Sequence, residues 1–478
     1  MSSTRSSKPC CLWPGCGWLA LIFTIVTVGY SVTRSIIDRN QYTRGHQAYQ
    51  QADCTAAISH FDNIIQGVQL VDTGNYRALA IQEKSECLLF QVAVDQQQAG
   101  NFSATLIGYA NFISEYGSSV LADIARDRIA SLFEQAGPAA LASREACDRL
   151  DSFVAGDLFP QKDKNVPLFH FACGQIYETA KDQQKSFTMY TSFLTEYPDH
   201  TLANEAEASL LTNPVACQKS DSLLKNSAIA DRTDFMPTLY YNCGQAYDEQ
   251  GEYSKAFEIY RVFLMTYPQH SLANKVETYL LANPAVCEKH WMLKYTVIAK
   301  RKEFMPSLYY SCGQSYEEDR DWAKAIKMYE TFLADYPGHS LAEDVEAALA
   351  RTIVAQARTA GAGNMPEPSR SGSTSSEITE VVIQNDSPQR LRIVFSGPES
   401  LVEELEACSS CTTYTLVGPT FCPAKGPTGR YTLKPGQYDV VVEAISGSEV
   451  TPWSGNWALV SGDEYYNCFF IVHTYITR

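Results

Sequence analysis

The chain has 478 residues, 45% apolar and 19% charged, a balance that excludes a disordered polymer and leaves room for two or three domains. A formal charge of -16 and a pI near 5.0 argue against a nucleic-acid partner, which would call for a basic face.

The first element is apolar. No charged residue lies between Lys8 and Arg34, and the run "WLALIFTIVTVGYSV" occupies Trp18 to Val32. With its flanks it is long enough to cross a hydrocarbon core of roughly 30 Å as one helix. The expected order is an N-terminus over 1–16 and a transmembrane helix over 17–33. The competing reading is a cleaved signal peptide, but no small-x-small cleavage site follows the run. The cysteines at 10, 11 and 16 precede the run, so it is not a lipobox. Arg5 and Lys8 on one side and Arg34, Arg39 and Arg44 on the other leave the orientation open on charge alone.

Residues 40–357 carry a helical period punctuated by Gly and Pro. Three blocks are related: "CGQIYETAKDQQKSFTMYTSFLTEYP" from Cys173, "CGQAYDEQGEYSKAFEIYRVFLMTYP" from Cys243 and "CGQSYEEDRDWAKAIKMYETFLADYP" from Cys312. Each reads as two antiparallel helices. In the middle copy these run over 237–250 and 253–267 and stop at Pro268. A third helix is expected from a Ser cap at Ser271, and a fourth from near Val286. The unit is about 70 residues and four helices, a period that signals a solenoid.

The blocks resemble tetratricopeptide repeats, which space a small residue, a Tyr, an Ala, an aromatic and a Pro along a helix pair. Here these are Gly244, Tyr247, Ala256, Tyr260 and Pro268, then Gly313, Tyr316, Ala325, Tyr329 and Pro337. The upstream copy has Gly174, Tyr177, Tyr190 and Pro198, with Ser186 in place of the Ala. A diverged copy without the Pro runs from Cys87 to Tyr116. The "FL..YP..S.A" phrase is most similar to bacterial cell-envelope members of the family. The resemblance implies an α-solenoid that binds proteins or extended peptide segments.

Cysteines recur in step with the repeat. Cys147 and Cys173, Cys217 and Cys243, and Cys287 and Cys312 are separated by 26, 26 and 25 residues, each pair astride a polar loop. If helices run to and from those loops, both members of a pair lie at one height on neighbouring rods. Cys54 and Cys87 form a similar, wider pair. Each repeat is therefore expected to carry its own disulfide, which requires an oxidising compartment. Eight cysteines in the repeats and four in the tail, both even numbers, place the N-terminus in the cytoplasm and the bulk outside the cell membrane.

Residues 358–378, rich in Gly, Pro and Ser, read as a flexible linker. From 379 to 478 the period becomes two and turn signals separate six to eight strands, the pattern of a small β-sandwich. "GRYTLKPGQYDVVVEA" resembles a strand, Pro-Gly turn and strand of carbohydrate-binding, PEGA-like and carboxypeptidase-regulatory sandwiches, which implies a glycan contact. Cys408, Cys411, Cys422 and Cys468 suit two disulfides in any of three connectivities, a zinc site of four thiolates or a redox C-x-x-C. Two structural disulfides fit best, because 46 residues separate Cys422 from Cys468 and "CSSCTTYT" reads as loop and strand.

Motifs for phosphate, zinc-protease, serine-hydrolase and dinucleotide chemistry are missing from the sequence, so neither catalytic residues nor a cofactor or metal are expected. "SLLK" from Ser222 to Lys225 matches S-x-x-K at chance frequency. His200, His270 and His339 recur two residues after the helix-ending Pro, as turn caps. The candidate partner surface is a ladder on the first helix of each pair. It comprises Phe171, Tyr241 and Tyr310, then Gln175, Gln245 and Gln314, then Glu178, Asp248 and Glu317, with Glu249 and Glu318 following. The reading is a membrane-anchored extracytoplasmic scaffold with a docking sandwich. The alternative is an enzyme or redox protein working through Cys408 and Cys411.

Overall fold

The computed structural model describes residues 14–68, 74–294, 296–301, 303–374, 377–445 and 450–473, with the side chains of 14–20 and 22 left aside. Most of the expected N-terminal segment 1–16 lies outside these residues. The chain divides into two compact units, 1–239 and 240–478.

In the first unit, α1 (Pro14–Gln50) contains the segment 17–33. Among the described residues no helix is long and apolar enough to cross a membrane. Leu21, Phe23, Ile25, Val26 and Val28 on α1 are nevertheless exposed. The Asp53 side chain accepts from the Ala56 amide and opens α2 (Cys54–Ile65). Then follow α3 (Tyr76–Gln98), α4 (Phe102–Glu115), α5 (Val120–Ala136), α6 (Lys162–Thr179), α7 (Gln183–Glu196) and α8 (Ala203–Thr212). Gly100, at φ +75°, turns α3 into α4. Phe61, Phe90, Tyr109, Phe112, Leu132, Cys173 and Tyr177 belong to one buried core, which the aromatics spaced along each helix fill.

The helix α9 (Phe235–Glu249) leads into the second unit. There α10 (Tyr253–Thr266), α11 (Ala273–Ala282), α12 (Phe304–Glu318), α13 (Trp322–Asp335) and α14 (Ala342–Thr359) follow. Two expectations for the repeat are corrected. The fourth helix is not continuous: Ala285–Lys289, His290–Met292 and Ile298–Lys300 are separate short turns, as are Pro214–Gln218, Ser220–Leu224 and Ser227–Ala230. The side chains of Asn213 and Asn283 accept from the Val215 and Ala285 amides and restart the chain around Pro214 and Pro284, and β-branched Thr296, Val297 and Ile298 disfavour regular continuation. The third helix has no Ser271 side-chain cap: its N-cap is Leu272, whose amide donates to His270 Nδ1 at 3.1 Å in the turn that precedes it.

The tail is a strand-rich layer pair. Its strands are β1 (Gly363–Asn364), β2 (Ser369–Ser373), β3 (Thr379–Asn385), β4 (Leu391–Ser396), β5 (Leu401–Leu405), β6 (Tyr414–Thr415), β7 (Thr428–Leu433), β8 (Gly436–Ala444), β9 (Trp453–Leu459), β10 (Asp463–Phe469) and β11 (Val472–His473). One sheet has the order β1-β9-β8-β4-β5, the other β2-β10-β3-β7, and β6 pairs with β11. Val381, Ile383, Tyr431, Tyr465 and Phe469 from one sheet meet Ile393, Phe395, Tyr438, Val440 and Trp457 from the other. Pro435 and Gly436 do not close a hairpin, because β7 pairs with β3 and β8 with β4 and β9; the turn carries the chain from one sheet to the other.

The expected flexible linker is also corrected. Within 358–378, β1 adds parallel to β9 and β2 antiparallel to β10. Met365 is buried in the sandwich core, and the Trp457 indole donates to the Pro366 carbonyl at 3.0 Å. Unpaired amides flanking open sheet edges gain partners this way, which outweighs the segment's Gly/Ser propensity for disorder. In the same unit α14 packs on β4, β5 and β8, and Arg358 pairs with Asp439 at 2.6 Å.

Candidate partner-binding surface

The repeat closes through its glycines. A Cβ on Gly174 would stand 2.5 Å from the Tyr190 ring, and Gly244 and Gly313 meet Tyr260 and Tyr329 in the same way. All three tyrosines are fully buried. Each hydroxyl then reaches back twelve residues: Tyr190 donates to Glu178 at 2.8 Å, Tyr260 to Asp248 at 2.7 Å and Tyr329 to Glu317 at 3.0 Å. Burial is the main cause that pushes these phenols well above their ordinary range, and the facing carboxylates add to it. Burial also lifts the Asp248 carboxyl, against the lowering pull of Tyr260 and Asn283.

These bonds split the expected ladder. Glu178, Asp248 and Glu317 serve the interior. Phe171 is buried and packs on Tyr190 and Phe193, each at 5.7 Å between centroids, so it offers nothing to a partner. Tyr241 lies edge-on to Tyr279, Gln245 donates to the Tyr279 hydroxyl at 2.8 Å, and Tyr310 packs on Tyr329. Gln175, Glu249, Gln314 and Glu318 remain exposed. Gln175 lines a groove with Ala139, Ala172, Ile176, Thr179 and Ala180.

Two repeating features lie beyond the expected set. Lys185, Lys255 and Lys324 each sit over a ring, Tyr177 at 5.1 Å, Tyr247 at 5.3 Å and Tyr316 at 5.1 Å. The constant spacing of eight residues is the signal that the sequence offers for them. Arg232 and Arg301 each donate to the carbonyl of a helix-ending proline, Pro198 at 3.0 Å and Pro268 at 2.9 Å, and pair with Glu207 and Glu277. The recurrent histidines hold the turn before the third helix, as their position implies: His200 and His339 accept from the Leu202 and Leu341 amides, both at 3.2 Å, and lie edge-on to Phe193 and Phe332.

The structure joins Cys54 to Cys87, Cys147 to Cys173 and Cys287 to Cys312, with Cα–Cα distances of 5.1, 5.5 and 5.3 Å. Cys217 and Cys243 are each disulfide-bonded as well. In the tail the connectivity is Cys408–Cys411 and Cys422–Cys468, so in this state the four sulfurs are not the thiolates that a zinc site requires.

A tetratricopeptide-repeat family model matches residues 309–339, which span most of α12 and α13. Among solved structures, the tetratricopeptide-repeat domain of P58(IPK) aligns with 67% of this chain and 80% of that chain, at 12% identity and a TM-score of 0.21. No curated protein matches. Over residues 309–339, the α12–α13 pair, the chain is similar to a tetratricopeptide repeat, and α6–α7 and α9–α10 repeat its Gly, Tyr and Pro positions and its closed Gly–Tyr contact.

Proposed function

We propose that this protein is a membrane-anchored, extracytoplasmic scaffold of the cell envelope, without catalytic activity, whose repeats grip a polar or basic extended segment of a partner protein. The observation that carries this reading is the set Gln175, Glu249, Gln314 and Glu318, which stays exposed after packing has consumed the rest of the ladder. Carboxylates and amides displayed at a repeating position suit backbone and Lys/Arg groups of an extended chain. Anchoring through 17–33 is supported by the exposed apolar row of α1, which has no packing role to explain it. Twelve disulfide-bonded cysteines downstream of that row support an oxidising location for everything after it. The sandwich offers a second docking place, suited to a glycan by its aromatic and amide lining, at a groove formed by Trp453, Phe470, Asn364 and Asn467.

The test uses the full chain in its own cells, with a photoreactive amino acid placed at 249, 314 or, as a control on the second helix, at Lys327. A common adduct from 249 and 314 that is missing at 327 is expected; no adduct, or the same adduct from all three, contradicts the assigned face. Carbonate extraction should leave the full chain in the membrane pellet and release a chain beginning at residue 34.

A further inference from the structure

The pattern Asn-x-Ser/Thr, with x other than Pro, occurs twice in the chain, at Asn101-Phe102-Ser103 and at Asn385-Asp386-Ser387. It is the acceptor pattern for a sugar on an asparagine amide, and a glycan needs that amide at the surface. The structure separates the two places.

Asn385 is 0% exposed. Its Nδ2 gives both hydrogens to carbonyls inside the fold, those of Gln389 and Glu406, each at 2.8 Å. Its Oδ1 accepts from the Ser387 amide at 3.0 Å and the Ser387 hydroxyl at 2.7 Å. A sugar on this amide would break that network and open the sandwich.

Asn101 is the opposite case. It stands in the tight turn between α3 and α4, exposed together with Ala99, Gly100 and Ala104. The equivalent turn residues before α2, α7 and α13 are Asp53, Asp182 and Asp321, and each accepts from an amide of the following helix, that of Ala56, Lys185 or Lys324. Asn is among the best residues for this duty. Asn101, however, occupies the N-cap of α4 without a side-chain cap bond. Its Nδ2 turns outward and gives one hydrogen to Gln96 Oε1 at 2.8 Å, which leaves the other available. A groove beside it is lined by Phe102, Ser103, Ile107, Ala140 and Ser143, an apolar surface with hydroxyls on which a first sugar can rest.

We propose that Asn101 is an N-glycosylation site. The donor class is an oligosaccharide on a polyprenyl pyrophosphate. The proposal rests on the extracytoplasmic placement given above, since this acceptor pattern is used in exported chains. Asn101 Nδ2 attacks the anomeric carbon of the donor, the bond from that carbon to the pyrophosphate oxygen breaks, and the pyrophosphate leaves with the electron pair. Nδ2 loses one proton, which the leaving group takes up. The Ser103 hydroxyl, two residues on, is the part of the pattern that the transferase reads.

The full chain is taken from its own cells with thiols blocked at lysis, digested and mapped by peptide mass spectrometry. The peptide bearing Asn101 should carry a hexose or N-acetylhexosamine increment, and the peptide bearing Asn385 none. Asn101→Gln and Ser103→Ala should each lose the increment, and Ser103→Thr should keep it. The same map reads Cys54 and Cys87. A bare Asn101 in a chain whose Cys54–Cys87 is linked overturns the proposal and leaves the placement standing. A bare Asn101 with both thiols blocked refutes the placement and this site with it. Sugar on Asn385, or sugar that survives Ser103→Ala, also overturns the assignment.

Discussion

Gly313→Ala tests the close helix approach on which the repeat rests. In an open helix the change would stabilise by about 1 kcal/mol, because Ala is the better helix former. Here the new methyl would fall inside the Tyr329 ring. That ring cannot swing away: it is 0% exposed, and its hydroxyl is tied to Glu317 at 3.0 Å. Overpacking of this kind costs about 1–3 kcal/mol, enough to offset the propensity gain, and the α12–α13 pair should open more readily. Removing the obstacle reverses the sign. In a Tyr329→Leu background, Gly313→Ala should protect α12 relative to Tyr329→Leu alone. Gly338→Ala, where nothing stands within 4 Å of a new Cβ, should be near neutral. Hydrogen exchange of α12 amides reads the local opening free energy without assuming that the whole chain unfolds at once. If Gly313→Ala stabilises α12 in the native background, or if the sign does not change when Tyr329 is removed, the packing argument fails.

Three further outcomes follow from the geometry. Replacing Cys287 and Cys312 together by Ser should cost about 3 kcal/mol of opening free energy in the α12 region, the entropy of closing 25 residues, read by the same exchange measurement. Arg301→Ala should destabilise the turn after Pro268 by about 2 kcal/mol in the same assay, since it frees the Pro268 carbonyl and leaves Glu277 half-buried without its partner; Arg301→Lys should not restore it, because a single ammonium cannot reproduce three directed bonds. His170 is buried with its Nδ1 unpartnered among the described residues, and burial holds its pKa below the ordinary 6.5, against the opposite pull of Glu196 and Asp151. The folded chain therefore favours the neutral ring: its contribution is fully present above pH 6.5 and is lost as pH falls below it, where the unfolded ring takes a proton that the folded ring resists. Denaturation midpoints at pH 7.5 and 5.5 should differ less in His170→Leu than in the unaltered chain.

The repeat is legible because its signals are local and recur: Gly against a Tyr sixteen residues on, a Pro that stops the second helix, a His two residues later. What stays hidden depends on which partner a group finds in three dimensions. Glu178, Asp248 and Glu317 look like surface acids until Tyr190, Tyr260 and Tyr329 claim them. The spacing of twelve is visible but means little without the helix pair closed. The segment 358–378 has the composition of a linker, yet it lies against sheet edges that need its backbone, and composition does not report an unpaired edge. The Cys408–Cys411 and Cys422–Cys468 pairing is one of three, and Asp386 carries no sequence signal because its buried place beside the sulfurs is set by the fold. The disulfide positions in the repeats are legible for a partly mistaken reason: the chain before α12 is a series of short turns, and the pairing survives because those turns still return Cys287 to Cys312.

The proposal that a stapled repeat is held outside the cytoplasm is tested most directly at its sulfurs. Peptide mapping of the non-reduced chain, taken from its own cells with thiols blocked at lysis, should recover Cys54–Cys87, Cys147–Cys173 and Cys287–Cys312 as linked peptides. Recovery of those six cysteines carrying the blocking group would contradict both the stapled repeat and the extracytoplasmic placement.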